Sequence, residues 1–342
     1  MGHPEVDNKT PFAFEALHLV DEEFRPLLVP LVKATFQIGR NGQCTLAETQ
    51  IPPDLAGTFW GEDGETSSYK YEPEVAFMKP ATDVVVVGHA WAPRKDTTEM
   101  RVGVRVGPVS KEALVSGDRV WFRTAGATST TRPLPFEKIP LVYERAYGGW
   151  DRTHPDEHKH TCEPRNPVGV GYRGSGGFEE GLRVPNVEDL RAPVKSLGDR
   201  PPPAGFGFTS PHWKPRAALA GTYDEAWAKT RSPLLAKDFD RRHLNAASPG
   251  LVAPGYLRGD ESVVTMGMRP EGTLSFALPG VRPPDVRVGL VDGGAPKELA
   301  LKLDTIIIEP DDLRVMLLWR GNLVLRTGPH DVRTIEVLGE GP

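Results

Sequence analysis

The sequence predicts a mainly β protein with an antiparallel, sandwich-like body, long ordered loops and one or two short helices. Short runs rich in β-branched residues recur along the chain, which is typical of strands. Glycine and proline, 36 and 34 residues, make 70 of 342, and this excess favours turns between strands. Clear helical spacing of apolar residues is confined to one segment.

The first part of the chain is predicted to form strands joined by loops. β-Branched residues dominate LLVPLVKATFQI at 27–38 and VVVVGHA at 84–90, and these runs are too short for buried helices. Shorter apolar runs at 102–106 and 120–123 predict further strands. Serine, glycine and aspartate at 116–118 predict a hairpin turn, because glycine and aspartate tolerate the backbone angles of tight turns.

The middle of the chain, about 143–215, is predicted to be an ordered, loop-rich surface. Apolar periodicity fades there while glycine and proline accumulate, including consecutive prolines at 201–203. Aromatic residues are frequent in the same stretch, whereas disordered tracts contain few rings. So long an irregular connection is expected to be functional or packed against the rest of the protein.

One short helix is predicted at 222–228, with an extension to 230. Thr222 and Glu225 have the spacing of a capping box, and Ser232 and Pro233 end the helical pattern.

The C-terminal part is predicted to return to strands in an antiparallel meander. The predicted strands are 275–278, 286–291, 299–303, 305–308 and 315–319. No internal repeat or low-complexity linker divides the chain. The sequence therefore favours a single unit over residues 1–342, with two β-rich lobes, about 1–145 and 146–342, as the alternative.

Charge and cysteine content exclude several classes of protein. The net charge is −5, so nucleic-acid binding is not expected. The two cysteines, Cys44 and Cys162, lie far apart and favour a reduced compartment over a disulfide framework. The N-terminus lacks the pattern of a secretory signal, and no run approaches the roughly 20 apolar residues that cross a bilayer. We therefore expect a cytoplasmic protein without a membrane partner.

Seven separated segments carry distinctive patterns in which glycine, proline and aromatic residues lie beside charges. They are KPATDVVVVGHAWAP at 79–93, LVYERAYGGWD at 141–151, NPVGVGY at 166–172, PAGFGFTSPHWKPRAALAGTYDEAW at 203–227, LLAKDFDRRHLNAA at 234–247, YLRGDESV at 256–263 and LDTIIIEPDDLRVMLLWR at 303–320. In this order they resemble the bacterial type VI secretion accessory proteins that carry the domain of unknown function 2169. Seven segments in one order are more specific than any single motif.

The resemblance implies a non-catalytic adaptor or chaperone that binds an effector protein and helps load it onto the secretion spike. The implied partners are the effector, the VgrG spike and a PAAR-domain protein; no cofactor and no catalytic residue is implied. Large rings and arginine carry disproportionate energy at interfaces, which suggests a set of partner-binding residues. This set comprises Tyr147, Trp150, Arg165, Trp213 and Trp227. The competing interpretation, strongest for Trp227, is that the rings belong to the core.

An alternative function is a metal-dependent enzyme or metal-binding protein that uses the segment HPDEHKHTC. His154, His158, His160 and Cys162 are residue types that bind zinc. Pro155 argues against a helix that would align the histidines, and a solvated loop is the favoured interpretation.

Two charged sets allow a catalytic or a structural interpretation, and the structural one is favoured for both. The first set comprises Glu144, Arg145, Asp151, Arg165 and Asn166, which would hold a substrate or form an arginine–carboxylate network that braces glycine-rich turns. The second set comprises Asp238, Asp240 and His243, which would bind a cation and supply a base or form a polar edge.

Overall fold

The computed structural model describes residues 4–174 and 178–339, and strands dominate these two ranges. The first strands are β1 Glu5–Asn8, β2 Ala13–Val20, β3 Pro26–Ile38, β4 Cys44–Leu46, β5 Thr58–Phe59, β6 Tyr69–Tyr71, β7 Asp83–Val86, β8 His89–Trp91, β9 Glu99–Val106, β10 Val109–Ser116, β11 Arg119–Thr124, β12 Ala127–Thr130 and β13 Lys138–Pro140. The remaining strands are β14 Tyr147–Gly148, β15 Trp150–Asp151, β16 Thr161–Cys162, β17 Val170–Gly171, β18 Arg183–Val184, β19 Val187–Asp189, β20 Ser262–Met266, β21 Leu274–Ala277, β22 Asp285–Leu290, β23 Lys297–Ala300, β24 Lys302–Glu309, β25 Arg314–Arg320, β26 Leu323–Val324 and β27 Val332–Leu338.

Helical structure is sparse in the described part of the chain. The α-helix α1 covers Glu225–Thr230. The 3-10 turns are Tyr143–Arg145, Glu157–Lys159, Arg216–Leu219, Arg241–Leu244 and Pro329–Asp331. The predicted mainly β fold with antiparallel sheets and a short helix is confirmed. None of the described helices has the length and apolarity that crossing a membrane requires.

The largest sheet combines strands from both ends of the chain. Its order is β2-β3-β25-β24-β7, and β4 and β26 also pair with β3. Strands β3, β24 and β25 are buried on both faces. The sequences of β3 and β25 are accordingly apolar along most of their length, whereas β24 buries Asp304, Thr305 and Glu309 beside its isoleucines. The pairing is antiparallel except between β24 and β7.

Two further sheets surround the same hydrophobic core. The five-stranded sheet has the order β19-β10-β9-β20-β21, and the four-stranded sheet has the order β1-β27-β22-β23. One cluster of buried apolar side chains includes Ile306 of the largest sheet, Val104 of the five-stranded sheet and Ile335 of the four-stranded sheet. The sheets are therefore held together by shared apolar burial, the main favourable contribution to folding. The expected organisation of the chain, one unit over residues 1–342 or two lobes of about 1–145 and 146–342, stays a prediction.

The predicted hairpin turn at 116–118 is wrong. Within residues 99–116, a hairpin joins β9 to β10, with Val106 opposite Val109 across a two-residue connection. Residues 116–118 instead carry the chain from the five-stranded sheet to β11 in a three-stranded sheet of order β12-β11-β18. Strand β10 was missed because its half-exposed sequence VSKEALVS mixes charges with small residues.

The single strand predicted at 84–90 is two strands. Strand β7 pairs with β24, whereas β8 pairs with β13, so the chain changes partners at 87–88. The predicted C-terminal meander is also divided. The hairpin β22–β23 belongs to the four-stranded sheet and the hairpin β24–β25 to the largest sheet, with the break at Leu301. Apolar runs predicted these strands, but they carry no signal for a change of sheet.

The predicted cap of the helix is wrong by two residues. Asp224 is the N-cap of α1, and its Oδ1 accepts a hydrogen bond from the backbone N of Trp227 at 2.8 Å. The hydroxyl of Thr222 instead donates to Asp238 Oδ2 at 2.8 Å. Asp224, a residue type favoured at helix N-caps, thus caps the helix, and Thr222 contacts Asp238 outside it.

A buried polar cluster ties three segments to one carboxylate. Asp83 Oδ2 accepts from Lys79 Nζ and from the backbone N of Ala246, both at 2.8 Å. Asp83 Oδ1 accepts from Asn245 Nδ2 at 2.9 Å, and Lys79 Nζ also donates to Thr305 Oγ1 at 3.0 Å. Burial lowers the pKa of Lys79, but the charges of Asp83 and its neighbours outweigh burial and raise that pKa above its usual value, so Lys79 is protonated.

Replacing Asp83 should be strongly destabilising. The substitution Asp83→Asn removes the carboxylate that contacts the buried Lys79 ammonium, and we expect the free energy of unfolding to fall by about 3–5 kcal/mol. Urea unfolding monitored by tryptophan fluorescence measures this change. The matched control is Asp96→Asn, which removes an exposed ion pair with Arg94 and should change the free energy by less than about 1 kcal/mol. Equal losses in the two variants would show that the buried contact between Asp83 and Lys79 contributes no more to stability than an exposed ion pair.

Candidate functional site

Two of the distinctive motif segments lie side by side in the loop-rich middle of the chain. Strand β14 pairs in parallel with β17, and strand β15 pairs with β16. This arrangement leaves a groove of about 380 Å³, here called the glycine-rich groove. Its lining includes Gly148, Gly149, Trp150, Gly169, Gly171 and Tyr172.

Close backbone contact explains the glycines of this groove. Gly149 has φ +96°, and a Cβ atom there would overlap the carbonyl oxygen of Gly169. A Cβ atom at Gly169 would overlap the side-chain amide of Asn166. Glycine alone permits this backbone angle and this approach without strain. Close main-chain contact therefore fixes the relative positions of the two motif segments that line the groove.

Asn166 fixes the backbone beneath the groove, as the structural interpretation of the sequence predicts. The side chain is fully buried, and its Nδ2 donates to the carbonyl oxygens of Tyr143 at 2.8 Å and Tyr147 at 3.1 Å. The Asn166 carbonyl oxygen accepts from the backbone N of Gly149 at 2.8 Å. One residue thus holds both motif segments in register.

Arg165 is engaged with its own loop. Its Nε and Nη2 atoms donate to the two carboxylate oxygens of Glu163 at 2.7 and 2.8 Å, and Nη2 also donates to the carbonyl oxygen of Pro201 at 3.1 Å. Burial raises the pKa of Glu163, but the hydrogen bonds from Arg165 outweigh it and hold that pKa below its usual value. This bidentate pair braces the groove, and we assign Arg165 a structural position rather than a free one.

The other charged residues of the first set also brace turns, and each has different partners. Glu144 accepts from Ser67 Oγ at 2.9 Å and from Ser68 N at 2.7 Å, while Arg145 donates to Asn186 Oδ1 at 3.1 Å. Asp151 is buried and accepts from the backbone N of Gly174 at 3.0 Å. These contacts agree with the predicted bracing network.

Tyr147 and Trp213, two of the predicted partner-binding residues, lie inside the protein. Tyr147 is 3% exposed and Trp213 is 2% exposed. The Trp213 ring packs edge-on against Tyr143 at a centroid distance of 5.3 Å, in a small apolar cluster that stabilises the loops. A ring buried in this way does not reach a partner, so we place neither residue on the binding surface.

Trp227 is partly exposed on α1. Its Nε1 donates to the carbonyl oxygen of Leu234 at 2.9 Å, and its ring lies edge-on to Tyr223 at 4.8 Å. These contacts hold together the segment 223–234, which contains α1.

Trp150 is the most exposed of the four aromatic residues that were predicted to bind a partner. It is 46% exposed on the rim of the glycine-rich groove. The guanidinium of Arg152 lies 5.3 Å from the centroid of its ring. An exposed tryptophan beside an arginine is the composition favoured at protein interfaces.

The histidine-rich segment is not arranged as a ligand set. His154 Nδ1 accepts from the backbone N of Asp156 at 2.9 Å, and His160 Nε2 lies 3.0 Å from the carbonyl oxygen of His154. Cys162 is placed by the pairing of β16 with β15. Over residues 4–174 and 178–339, no group of three or more His, Cys, Asp or Glu side chains is placed to hold a metal ion. Local backbone contacts thus occupy two of the ring nitrogens.

The second charged set forms a polar edge, as its structural interpretation predicts. Asp240 caps the 3-10 turn Arg241–Leu244 by accepting from the backbone N of Arg242 at 2.9 Å. His243 Nδ1 lies 2.9 Å from the carbonyl oxygen of Arg216. Asp240 thus satisfies a local backbone group, whereas His243 contacts the backbone of a second 3-10 turn.

Sequence reasoning missed a cluster of three polar side chains. Lys111 Nζ donates to Ser248 Oγ at 2.6 Å, and Tyr143 OH donates to the same oxygen at 2.9 Å. Ser248 is fully buried, and its hydroxyl donates to the carbonyl oxygen of Gly205 at 2.7 Å. Burial lowers the pKa of Lys111 to about 8. No spacing pattern connects these residues, which meet only through the fold.

A family match covers most of the chain. The chain matches the family described as "Uncharacterized protein conserved in bacteria (DUF2169)" over residues 23–320. This span contains all seven motif segments and the glycine-rich groove. No curated protein and no solved structure matches the chain.

A methyl group at Gly149 should disrupt the groove. We expect Gly149→Ala to lower the free energy of unfolding by roughly 2–6 kcal/mol, since it adds backbone strain of about 1–3 kcal/mol to overpacking of about 1–3 kcal/mol. The control is Gly126→Ala, because Gly126 also has positive φ but has open space around its Cβ position. Urea unfolding compares the two variants, and an equal loss would show that close approach plays no part.

Lys111 should titrate near pH 8 in the folded protein. A lysine in an unfolded chain titrates at about 10.4, so the unfolded chain binds more protons between these values. This group should therefore increase the free energy of unfolding as pH rises from about 8 to about 10. An NMR titration of the Lys111 side chain, assigned with Lys111→Arg, measures the midpoint. A midpoint above about pH 10 would show that burial does not lower the pKa of Lys111.

Proposed function

The chain belongs to the bacterial DUF2169 family, and from this premise we propose that it is a non-catalytic adaptor, or chaperone, for type VI secretion. It binds an effector protein in the cytoplasm and helps load that effector onto the VgrG spike or its PAAR-domain tip. The support for the secretion role is the order of the seven motif segments in the sequence.

Trp150 is the structural observation that best supports a binding role. Its ring is 46% exposed, while the backbone beneath it is fixed by Asn166 and by the close approach of Gly149 to Gly169. A rigid surface loses little conformational entropy on binding, so a single large anchor contributes more of its contact energy to affinity. Trp150 and the glycine-rich groove therefore form the proposed cargo-binding surface.

Binding without chemistry is consistent with how the charged residues of this region are used. Glu163 and Arg165 pair with each other, and Glu144 is bound by Ser67 and Ser68. Such pairs fix the shape of the loops. We propose that the adaptor stabilises its cargo by mass action, because a partner that binds only the folded cargo shifts it away from unfolded forms. The spike would release the cargo by competing for the same cargo surface.

Substitution of Trp150 tests the proposal. We expect Trp150→Ala to reduce recovery of the effector at least about 10-fold, because interface tryptophans contribute about 2 kcal/mol or more. The free energy of unfolding should change by less than about 1 kcal/mol, since the ring is largely exposed. The measurement is affinity purification of the chain coexpressed with its neighbouring effector, VgrG and PAAR genes, followed by quantitative mass spectrometry.

The control variant is Leu134→Ala, which removes another exposed apolar side chain outside the glycine-rich groove. Recovery of the effector should be unchanged in this variant. Full recovery with Trp150→Ala would overturn the proposed surface. Absence of any copurified effector, together with stoichiometric zinc in the purified protein, would overturn the adaptor function and favour the metal-binding alternative at His154, His158, His160 and Cys162.

A further inference from the structure

A second groove has cationic side chains on its rim and lies on a different part of the protein. Its volume is about 430 Å³, within the roughly 300–1,000 Å³ range of ligand pockets. Its walls come from the loop 256–260, the loop 280–283 and the chain that enters β24 at 301–303. It is called the basic groove here. None of its lining residues lines the glycine-rich groove.

The two loops of the basic groove are fixed to each other. The backbone N of Gly280 donates to the carbonyl oxygen of Gly259 at 2.8 Å. The Glu261 carboxylate holds the first loop in place, since Oε1 accepts from the backbone N of Arg258 at 2.7 Å and Oε2 accepts from that of Gly259 at 2.9 Å. Because these contacts already order the loops, a ligand binds without paying much of that entropy.

Apolar side chains form the base of the basic groove. Val281, Leu301 and Leu303 line it and are buried. The ring of Tyr256 also lines the groove and is 41% exposed. Its hydroxyl donates to the carbonyl oxygen of Lys79 at 2.5 Å, which fixes the position of the ring. Aliphatic groups of a ligand therefore find a preformed apolar surface between the charged side chains.

Two cations of the rim lack a counter-charge. Arg282 and Lys302 are exposed, and neither forms an ion pair with another residue within 4–174 or 178–339. Asp260 also lines the groove, but its Oδ2 lies 3.4 Å from Nη2 of Arg258, so that carboxylate and that guanidinium balance each other. The walls thus have an excess of positive charge on a chain whose net charge is −5. Unpaired charges of one sign in a cleft attract ligands of the opposite sign.

We infer that the basic groove binds an acidic, extended segment of a partner protein. Carboxylates of the segment pair with Arg282 and Lys302, and an aliphatic side chain between them packs on the apolar base. A peptide suits this groove better than an inorganic anion, which would lose hydration at the apolar base and gain no contact there. A nucleic acid would need a longer basic track than two unpaired cations provide.

This inference goes beyond the proposed adaptor function, because it concerns another surface and does not depend on which protein supplies the segment. The probes are rhodamine-labelled, capped octapeptides in which glutamate alternates with leucine. One set of control peptides replaces each glutamate by glutamine, and a second set replaces each leucine by serine. Fluorescence anisotropy with the full chain measures the dissociation constants.

The glutamate–leucine peptide should bind about 10-fold more tightly than the glutamine control, because two exposed ion pairs are lost in that control. This advantage should shrink as the salt concentration rises, since exposed charges are screened. The serine control should also bind more weakly than the glutamate–leucine peptide, because it leaves the apolar base of the groove uncovered.

A double substitution locates the bound peptide. Arg282→Gln combined with Lys302→Gln removes both unpaired cations, and we expect it to weaken binding of the glutamate–leucine peptide about 10-fold. The matched control is Arg101→Gln combined with Lys237→Gln, which removes one exposed arginine and one exposed lysine outside the groove. It changes the net charge equally and should leave binding within about 2-fold of that of the unchanged protein.

Several results would overturn the inference. Equal binding of glutamate and glutamine peptides would exclude recognition of carboxylates, and equal weakening by the two double variants would show that only the overall charge of the protein matters. Competition by inorganic phosphate at the same concentration as the acidic peptide would indicate a simple anion site. Tighter binding of a single-stranded DNA octamer would indicate a nucleic-acid ligand.

The single variants keep the test decisive if the double variant of the groove fails to fold. Lys302→Gln and Arg282→Gln should each weaken binding of the acidic peptide more than Arg101→Gln does, and no difference among the three would also overturn the inference. None of these measurements involves Trp150 or the copurified effector. Failure here is therefore distinguishable from failure of the adaptor proposal.

Discussion

The ion pair between Lys79 and Asp83 is the constraint from which the arrangement of the loops follows. Asp83 begins β7, at the margin of the largest sheet, and its carboxylate also binds Asn245 Nδ2 and the backbone N of Ala246. A charge buried this deeply is tolerated only with its full set of partners. The segment around Asn245 is thereby fixed to the sheet. Backbone bonds continue the attachment, since Val84 N donates to the carbonyl oxygen of Leu251 at 2.9 Å. The loops thus cover the open side of β7, where unpaired strand groups would otherwise invite association.

The same attachment explains why long irregular segments can carry defined surfaces. Loops rich in glycine are flexible unless other contacts hold them. Here Asn166 bonds the carbonyl oxygens of Tyr143 and Tyr147, and Tyr143 in turn bonds Ser248 in the segment that follows Asn245. The glycine-rich groove is therefore linked to Asp83 through these hydrogen bonds and through the chain segment 245–248.

Much of the fold was predictable from the sequence wherever the residues of a single segment determine its secondary structure. The buried strands β3 and β25 are apolar on both faces, so their sequences alone mark them as strands. Strand β10 was missed because its charges suit a half-exposed strand but also suit a loop. The change of sheet at Ser116 was not predictable, since register and partner depend on distant segments. A structural role for Asn166 was predictable from its place among glycine-rich turns, but its distant partners Tyr143 and Tyr147 were not, and neither was the contact of Lys111 with Ser248.

A preformed surface has a particular consequence for a protein that must bind a partner and later release it. When the surface is rigid, affinity depends on a few anchors, because little free energy is spent on ordering loops. Rates of dissociation then respond to the loss of one or two contacts. In the proposed adaptor, a spike protein would need to displace the contacts at Trp150 and the glycine-rich groove rather than unfold a wrapped segment. A surface of flexible loops closing over the cargo would have to reopen at each release. If the chain is such an adaptor, the hydrogen bonds of Asp83 and Asn166 that hold its loops would therefore favour exchange of cargo over retention.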